Sequence, residues 1–161
     1  MTDPVDIPSA LELRNLQYAY ASALDRRDSA ALCAVFRPDA TLRMFDPDAD
    51  EPRAELRGHE QLALMPEAMG GLYAKTMHVI TNCMSSIDGE EATGQAYCVA
   101  HHLILDDGAP RQFAVNLVYE DHFRRSPGDT WRISRRDIRF LWAEESRVLN
   151  WETALVRGRL R

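Results

Sequence analysis

The sequence predicts an α+β domain, with helices confined to the first half and a strongly curved, mostly antiparallel sheet built from the second. Three observations lead there. Leu13, Leu16, Tyr20 and Leu24 recur at helical spacing. Four long segments rich in β-branched and aromatic residues then fill the second half, at 76–87, 92–105, 112–124 and 130–142. The turn signals between them are Asp88-Gly89, Asp106-Asp107-Gly108 and Ser126-Pro127-Gly128, as in an antiparallel meander.

Taken in order, residues 1–8 carry Pro4 and Pro8 and read as a loose lead-in. Ser9 is the expected N-cap, with Glu12 completing a capping box, and the first helix runs over about 9–26. Asp28 or Ser29 restarts a short helix whose apolar side is Leu32, Val35 and Phe36, and Pro38 stops it. Residues 40–45 alternate as a strand, 46–52 form an acidic loop and 53–57 a second short strand. Gly58 opens a helix bearing Leu62, Leu64, Met65 and Met69, closed by Gly70-Gly71. The four long strands follow. Residues 9–143 thus make one domain, and 144–161 read as a C-terminal helix with Trp151 and Leu155, suited to a subunit contact.

Composition narrows the function. The chain has 161 residues, 45% apolar and 27% charged, which fits a single globular domain. Its 19 basic and 25 acidic residues give a net charge of −6, against nucleic-acid or anionic-membrane binding. No apolar run is long enough to cross a bilayer, and residues 1–9 lack the basic start of an export signal. Cys33, Cys83 and Cys98 are odd in number without C-x-x-C spacing, so reduced thiols in a cytoplasmic protein are expected.

Histidine position singles out the candidate site. His78, Ile80 and Asn82 share one face of a strand, a mixture that suits a pocket wall, although a core histidine is the plain alternative. His101 and His102 are adjacent and point to opposite faces. Tyr97, Val99 and His101 form one row, and Cys98, Ala100 and His102 the other; either can face inward. Arg135 and Arg136 divide in the same way. Asp25 ends the first helix, where a carboxylate opposes the helix dipole and calls for a positive partner. Asp25, His78 and His101 could also be read as a two-His, one-carboxylate iron site.

The runs Ala23-Leu24-Asp25-Arg26-Arg27-Asp28, Phe36-Arg37-Pro38-Asp39-Ala40, Thr76-Met77-His78-Val79-Ile80-Thr81-Asn82 and Gly128-Asp129-Thr130-Trp131-Arg132-Ile133-Ser134-Arg135-Arg136 stand in a familiar order. In them the chain resembles the SnoaL-like branch of the nuclear-transport-factor-2-like superfamily, over about 11–142. Within it the pattern is similar to those of hexachlorocyclohexane dehydrochlorinase, bile-acid 7α-dehydratase and scytalone dehydratase. The resemblance implies a cone-shaped α+β barrel enclosing one apolar pocket, a homotrimer or homodimer, and a lyase that uses neither cofactor nor metal. It implies Asp25 and His78 as a catalytic dyad, with Arg136 and Tyr20 as further catalytic residues. His101, Asn82 and Tyr97 are the expected substrate contacts. The implied reaction is loss of water or halide from a small hydrophobic cyclic compound, steroid-like, polyketide or aromatic. Isomerisation by the same proton abstraction, or a non-catalytic binding or scaffold subunit, are the alternatives.

Overall fold

The computed structural model describes residues 6–105 and 110–148. In chain order these form α1 (Ile7–Asp25), α2 (Ser29–Val35), β1 (Phe36–Phe45), β2 (Ala54–Arg57), α3 (Gly58–Leu62), α4 (Met65–Leu72), β3 (Lys75–Asp88), β4 (Glu91–Ile104), β5 (Arg111–Arg124) and β6 (Arg132–Arg147). The sheet order is β2-β1-β6-β5-β4-β3, antiparallel except where β1 runs parallel to β6. The α+β class is as expected. Among the described residues the sheet stays open, with β2 and β3 as its edges.

α1 forms because Leu13, Gln17, Tyr20, Ala21 and Leu24 fall on one buried face at helical spacing. Its N-cap is Asp6, whose carboxylate accepts from the Ser9 amide at 3.2 Å. Ser9, expected as the cap, is instead buried, and its hydroxyl accepts from Arg125 at 3.1 Å. Pro8 occupies the first turn, where its missing N–H costs nothing, so the helix begins inside the expected lead-in. Asp28 caps α2 through the Ala31 amide at 2.9 Å. Gly58 turns the chain from β2 into α3 at φ +68°, where a Cβ would stand 3.2 Å from the Pro38 carbonyl oxygen.

Bulges decide which way the site residues point. Between Thr81 and Met84 the register of β3 on β4 shifts, and Asn82 takes φ +50°. Between His122 and Phe123 the register of β5 on β6 shifts, which sets Arg136 opposite Asp121 and Arg135 opposite His122. The core, with Leu13, Leu32, Phe36, Leu42, Phe123 and Ile133 among its buried members, lies between the helices and one sheet face.

At the chain's end, 144–147 continue β6 rather than opening a helix: Glu144 pairs with Ala114 and Arg147 with Arg111. The remainder of the expected C-terminal helix, 149–161, lies outside the described residues. Among those described, no helix is long and apolar enough to cross a membrane.

Candidate active site

Asp25 is the last residue of α1, and His78 is the fourth residue of β3. Packing α1 across β3 brings them together. Asp25 Oδ1 lies 2.7 Å from His78 Nδ1, and Oδ2 accepts the His78 backbone N–H at 3.0 Å. Thr76 donates its hydroxyl to Oδ1 at 2.9 Å. Since Asp25 accepts, His78 Nδ1 carries the proton, which leaves Nε2 as the lone-pair nitrogen. Among the described residues Nε2 has no hydrogen-bond partner. Burial pushes the Asp25 carboxyl upward, but the ring and backbone donors of His78, its charge and the Thr76 hydroxyl outweigh it, and the acid is held below its ordinary value. The His78 side chain is 5% exposed and that of Asp25 24%.

Strand register settles the row left open in the sequence. His78 pairs with Ala100, and Thr76 with His102, so Ala100 and His102 share the inner face with His78. The His102 ring stands edge-on to His78 at 6.0 Å and packs against Tyr73 at 4.3 Å. Its Nδ1–H donates to the Phe113 carbonyl at 3.1 Å, which fixes the tautomer. Burial lowers its pKa to about 4, so His102 is neutral near pH 7. Cys98 shares this face, and burial raises its thiol to about 11, too high for a thiolate nucleophile.

The three expected substrate contacts lie elsewhere. His101 pairs with Met77 and Tyr97 with Thr81, on the outer face, turned away from His78. Asn82 sits in the β3 bulge and is exposed. The carboxylate–His78–His101 grouping therefore does not converge, and no cluster of three or more potential metal ligands exists among the described residues.

Tyr20 and Arg136 form a second buried cluster. Asp121 accepts from Arg136 Nε at 2.8 Å and Nη2 at 2.7 Å, and from Gln17 at 2.6 Å. Arg136 Nη2 also donates to Gln17 Oε1. The guanidinium is sandwiched between the Tyr20 ring at 4.1 Å and the Tyr119 ring at 4.2 Å. Of its nitrogens, Nη1 alone lacks a partner among the described residues. Burial pushes Tyr20 up to about 12, against the pull of Arg136, so its hydroxyl stays protonated. Neither residue bonds to Asp25 or His78. Their sequence signal was sound for burial, but Gln17 and Asp121, the partners that fix them, carried none.

A helix–sheet sandwich with a half-buried carboxylate–imidazole pair on its inner face can be compared with known proteins. The model of the SnoaL-like domain matches residues 6–137. The chain belongs to the SnoaL-like family. An uncharacterised protein of Mycobacterium tuberculosis, Rv2910c, is 30% identical over 139 residues, covering 84% of this chain and 88% of that one. Among solved structures, a Novosphingobium aromaticivorans protein provisionally assigned as a scytalone dehydratase has TM-score 0.75 and 19% identity, covering 92% of this chain and 94% of that one. The LinA type 2 hexachlorocyclohexane dehydrochlorinase has TM-score 0.76 and 16% identity, covering 90% and 93%. At such identities these two show the fold alone.

Two further surfaces of this SnoaL-like chain are apolar. An open apolar groove of about 540 Å³ runs between α3–α4 and β1–β2, lined by Met44, Leu56, Leu64, Met65, Met69 and Leu72 among others. The outer sheet face carries Met77, Val79, Tyr97 and Trp142, each more than a third exposed.

Proposed function

We propose that this protein is a lyase in which His78 removes a carbon-bound proton and water or halide leaves from the adjacent carbon of a small hydrophobic cyclic substrate. The observation that carries the reading is the doubly anchored pair: one carboxylate grips both the ring and the main chain of His78, and Nε2 is left unengaged. In the proposed step Nε2 takes the proton. The C–H electron pair becomes the new double bond, and the leaving group departs with its own bonding pair. Asp25 then faces the imidazolium, which it stabilises. A neutral His102, 6.0 Å away, offers its own Nε2 as an acceptor for a substrate hydroxyl. Arg136 enters the proposal through Nη1, the single guanidinium nitrogen still able to donate to a developing anion, with Tyr20 stacked on it.

The uncharged outer-face residues Met77, Val79, Tyr97 and Trp142 suit contact with a second copy of the chain, in line with the expected homo-oligomer. A Met77→Lys variant that sediments as a smaller species supports this; an unchanged species refutes it.

The test of the reaction needs no leaving group. Cyclic ketones, alcohols and halides with an acidic C–H are incubated with the protein in deuterated water, and carbon-bound deuterium is followed by NMR. Exchange or elimination that is lost in His78→Ala, while ligand binding persists, supports the lyase reading. Activity unchanged in His78→Ala overturns it, and ligand binding with neither exchange nor elimination in the wild type overturns it in favour of a binding or scaffold role.

A further inference from the structure

The sequence posed a puzzle at Asp25, a carboxylate at the negative end of a helix. The positive group that answers it comes from two residues further along. Arg27 Nη1 donates to the Leu24 carbonyl at 3.0 Å and to the Thr76 hydroxyl oxygen at 3.0 Å, and Nη2 reaches the Tyr73 carbonyl at 3.5 Å. We infer that Arg27 is a positioning residue for the proposed dyad, acting on Asp25 through Thr76. The inference rests on the Asp25–His78 reading and adds to it the device that orients the pair.

Hydrogen-bond directionality carries the argument. A guanidinium can only donate, so Arg27 occupies an acceptor lone pair of Thr76 Oγ1. The hydroxyl has a single proton, and Asp25 Oδ1 at 2.9 Å takes it. Oδ1 therefore receives the Thr76 hydroxyl as well as the His78 ring, while Oδ2 receives the His78 amide. With three donors the carboxylate plane cannot rotate, and the His78 ring follows it.

The backbone supports the same conclusion. Arg27 follows the α1 cap in a left-handed conformation at φ +59°, and its amide bonds to the Leu24 carbonyl at 3.1 Å while that of Asp28 bonds to Ala23 at 2.9 Å. Helices that end this way ordinarily place glycine there, because a Cβ is strained in that region. Here an arginine holds the position, and its side chain ties the α1 terminus to the Tyr73 carbonyl and the first turn of β3. Its stem passes α4 at Gly70, where a Cβ would approach Arg27 Nε to 3.6 Å.

This separates the side chain's role from the backbone's. Arg27→Gly relaxes the left-handed strain while deleting the guanidinium, and Thr76→Val deletes the relay at nearly constant shape. The readout is the ring Nδ1–H of His78 in the full-length chain, observed by NMR and assigned by its loss in His78→Gln. Its exchange rate with water should rise about tenfold or more in Arg27→Gly and in Thr76→Val, the loss of one charge-assisted bond. Thr76→Ser, which restores the hydroxyl, should return it to within about twofold of wild type. Arg27→Gly should melt no lower than wild type, a result that a merely structural arginine would not give. If the resonance vanishes in Asp25→Ala yet exchanges at the wild-type rate in Arg27→Gly and Thr76→Val, the pair stands and the positioning role is refuted. If Asp25→Ala leaves the resonance unchanged, or the wild type lacks it, the dyad itself fails and this inference falls with it.

Discussion

His102 gives the protein an acid sensitivity that can be worked through from its surroundings. The residue is 6% exposed, and burial lowers its pKa from 6.5 to about 4. His78 and Arg27 add to that lowering, while the Phe113 carbonyl and Asp25 oppose it. Between those two pH values the unfolded chain binds a proton that the folded one refuses, so stability rises with pH across the window. The contribution is fully present above about pH 6.5, declines as the pH falls, and is exhausted near pH 4. The full span corresponds to about 3 kcal/mol, and the part lost between pH 7 and pH 5 to about 2 kcal/mol. The perturbation is His102→Gln, which retains an N–H for the Phe113 carbonyl and cannot titrate. Urea unfolding of both proteins at pH 7 and pH 5 reads the effect as a shift in midpoint at constant slope. His59, His101 and His122 are common to both and cancel in the comparison. Wild type should lose about 2 kcal/mol more than the variant between the two conditions. Equal losses in the two proteins would refute the reasoning: His102 would then be hydrated and titrating normally, and no neutral acceptor would stand beside His78.

Three further outcomes follow from the same geometry. Asp121→Ala strands the Arg136 guanidinium, 0% exposed, between two tyrosines and should cost about 3–5 kcal/mol in thermal or urea unfolding, whereas Asp121→Leu combined with Arg136→Met should recover most of the loss. Asp25 is an acid whose folded pKa is depressed, so its contribution is present above about pH 4 and lost as pH falls through the folded value; Asp25→Asn should flatten the acid limb of the stability profile below pH 4. With any substrate that exchanges or eliminates, His78→Ala should lower the rate by about 10²–10⁴-fold, read from single-turnover kinetics.

The fold was legible because its signals were local and repeated. The period of α1, the Asp28 cap, the Gly58 turn and the four long strands each follow from a few neighbouring residues. The errors lie where a distant partner decides. Ser9 looked like a cap until Asp6 and Arg125 were in place. Glu144 reads equally well as helix or strand, and pairing with Ala114 chooses strand. The contact between Asp25 and His78 was expected only through the family resemblance, and its surroundings were not legible at all. The choice between His101 and His102 is one of parity, which only the Thr76–His102 register fixes.

Parity also explains why one arginine of an adjacent pair became a cluster centre and the other a surface residue. The β6 bulge sets Arg136 against Asp121, and a buried guanidinium on an inner face demands both a carboxylate and a covering of aromatic rings. Asp121 supplies the carboxylate and Tyr20 and Tyr119 the rings, and Tyr20 comes, with Gln17, from the same helix that delivers Asp25. The cluster thereby fixes α1 to the sheet near its middle, and Arg27 with Thr76 fixes it at its end. A site whose carboxylate rides on a helix terminus needs both anchors, since a slip of α1 along β3 by even half a turn (about 2.7 Å) would carry Asp25 out of reach of His78. Destabilising the Arg136 cluster, as Asp121→Ala does, should therefore loosen the dyad without touching it. In Arg136→Met combined with Asp121→Leu, where stability is largely restored, the His78 Nδ1–H should exchange with water at close to the wild-type rate. A fast-exchanging proton in that stable variant would mean that the buried charge, rather than the packing of α1, holds the pair together.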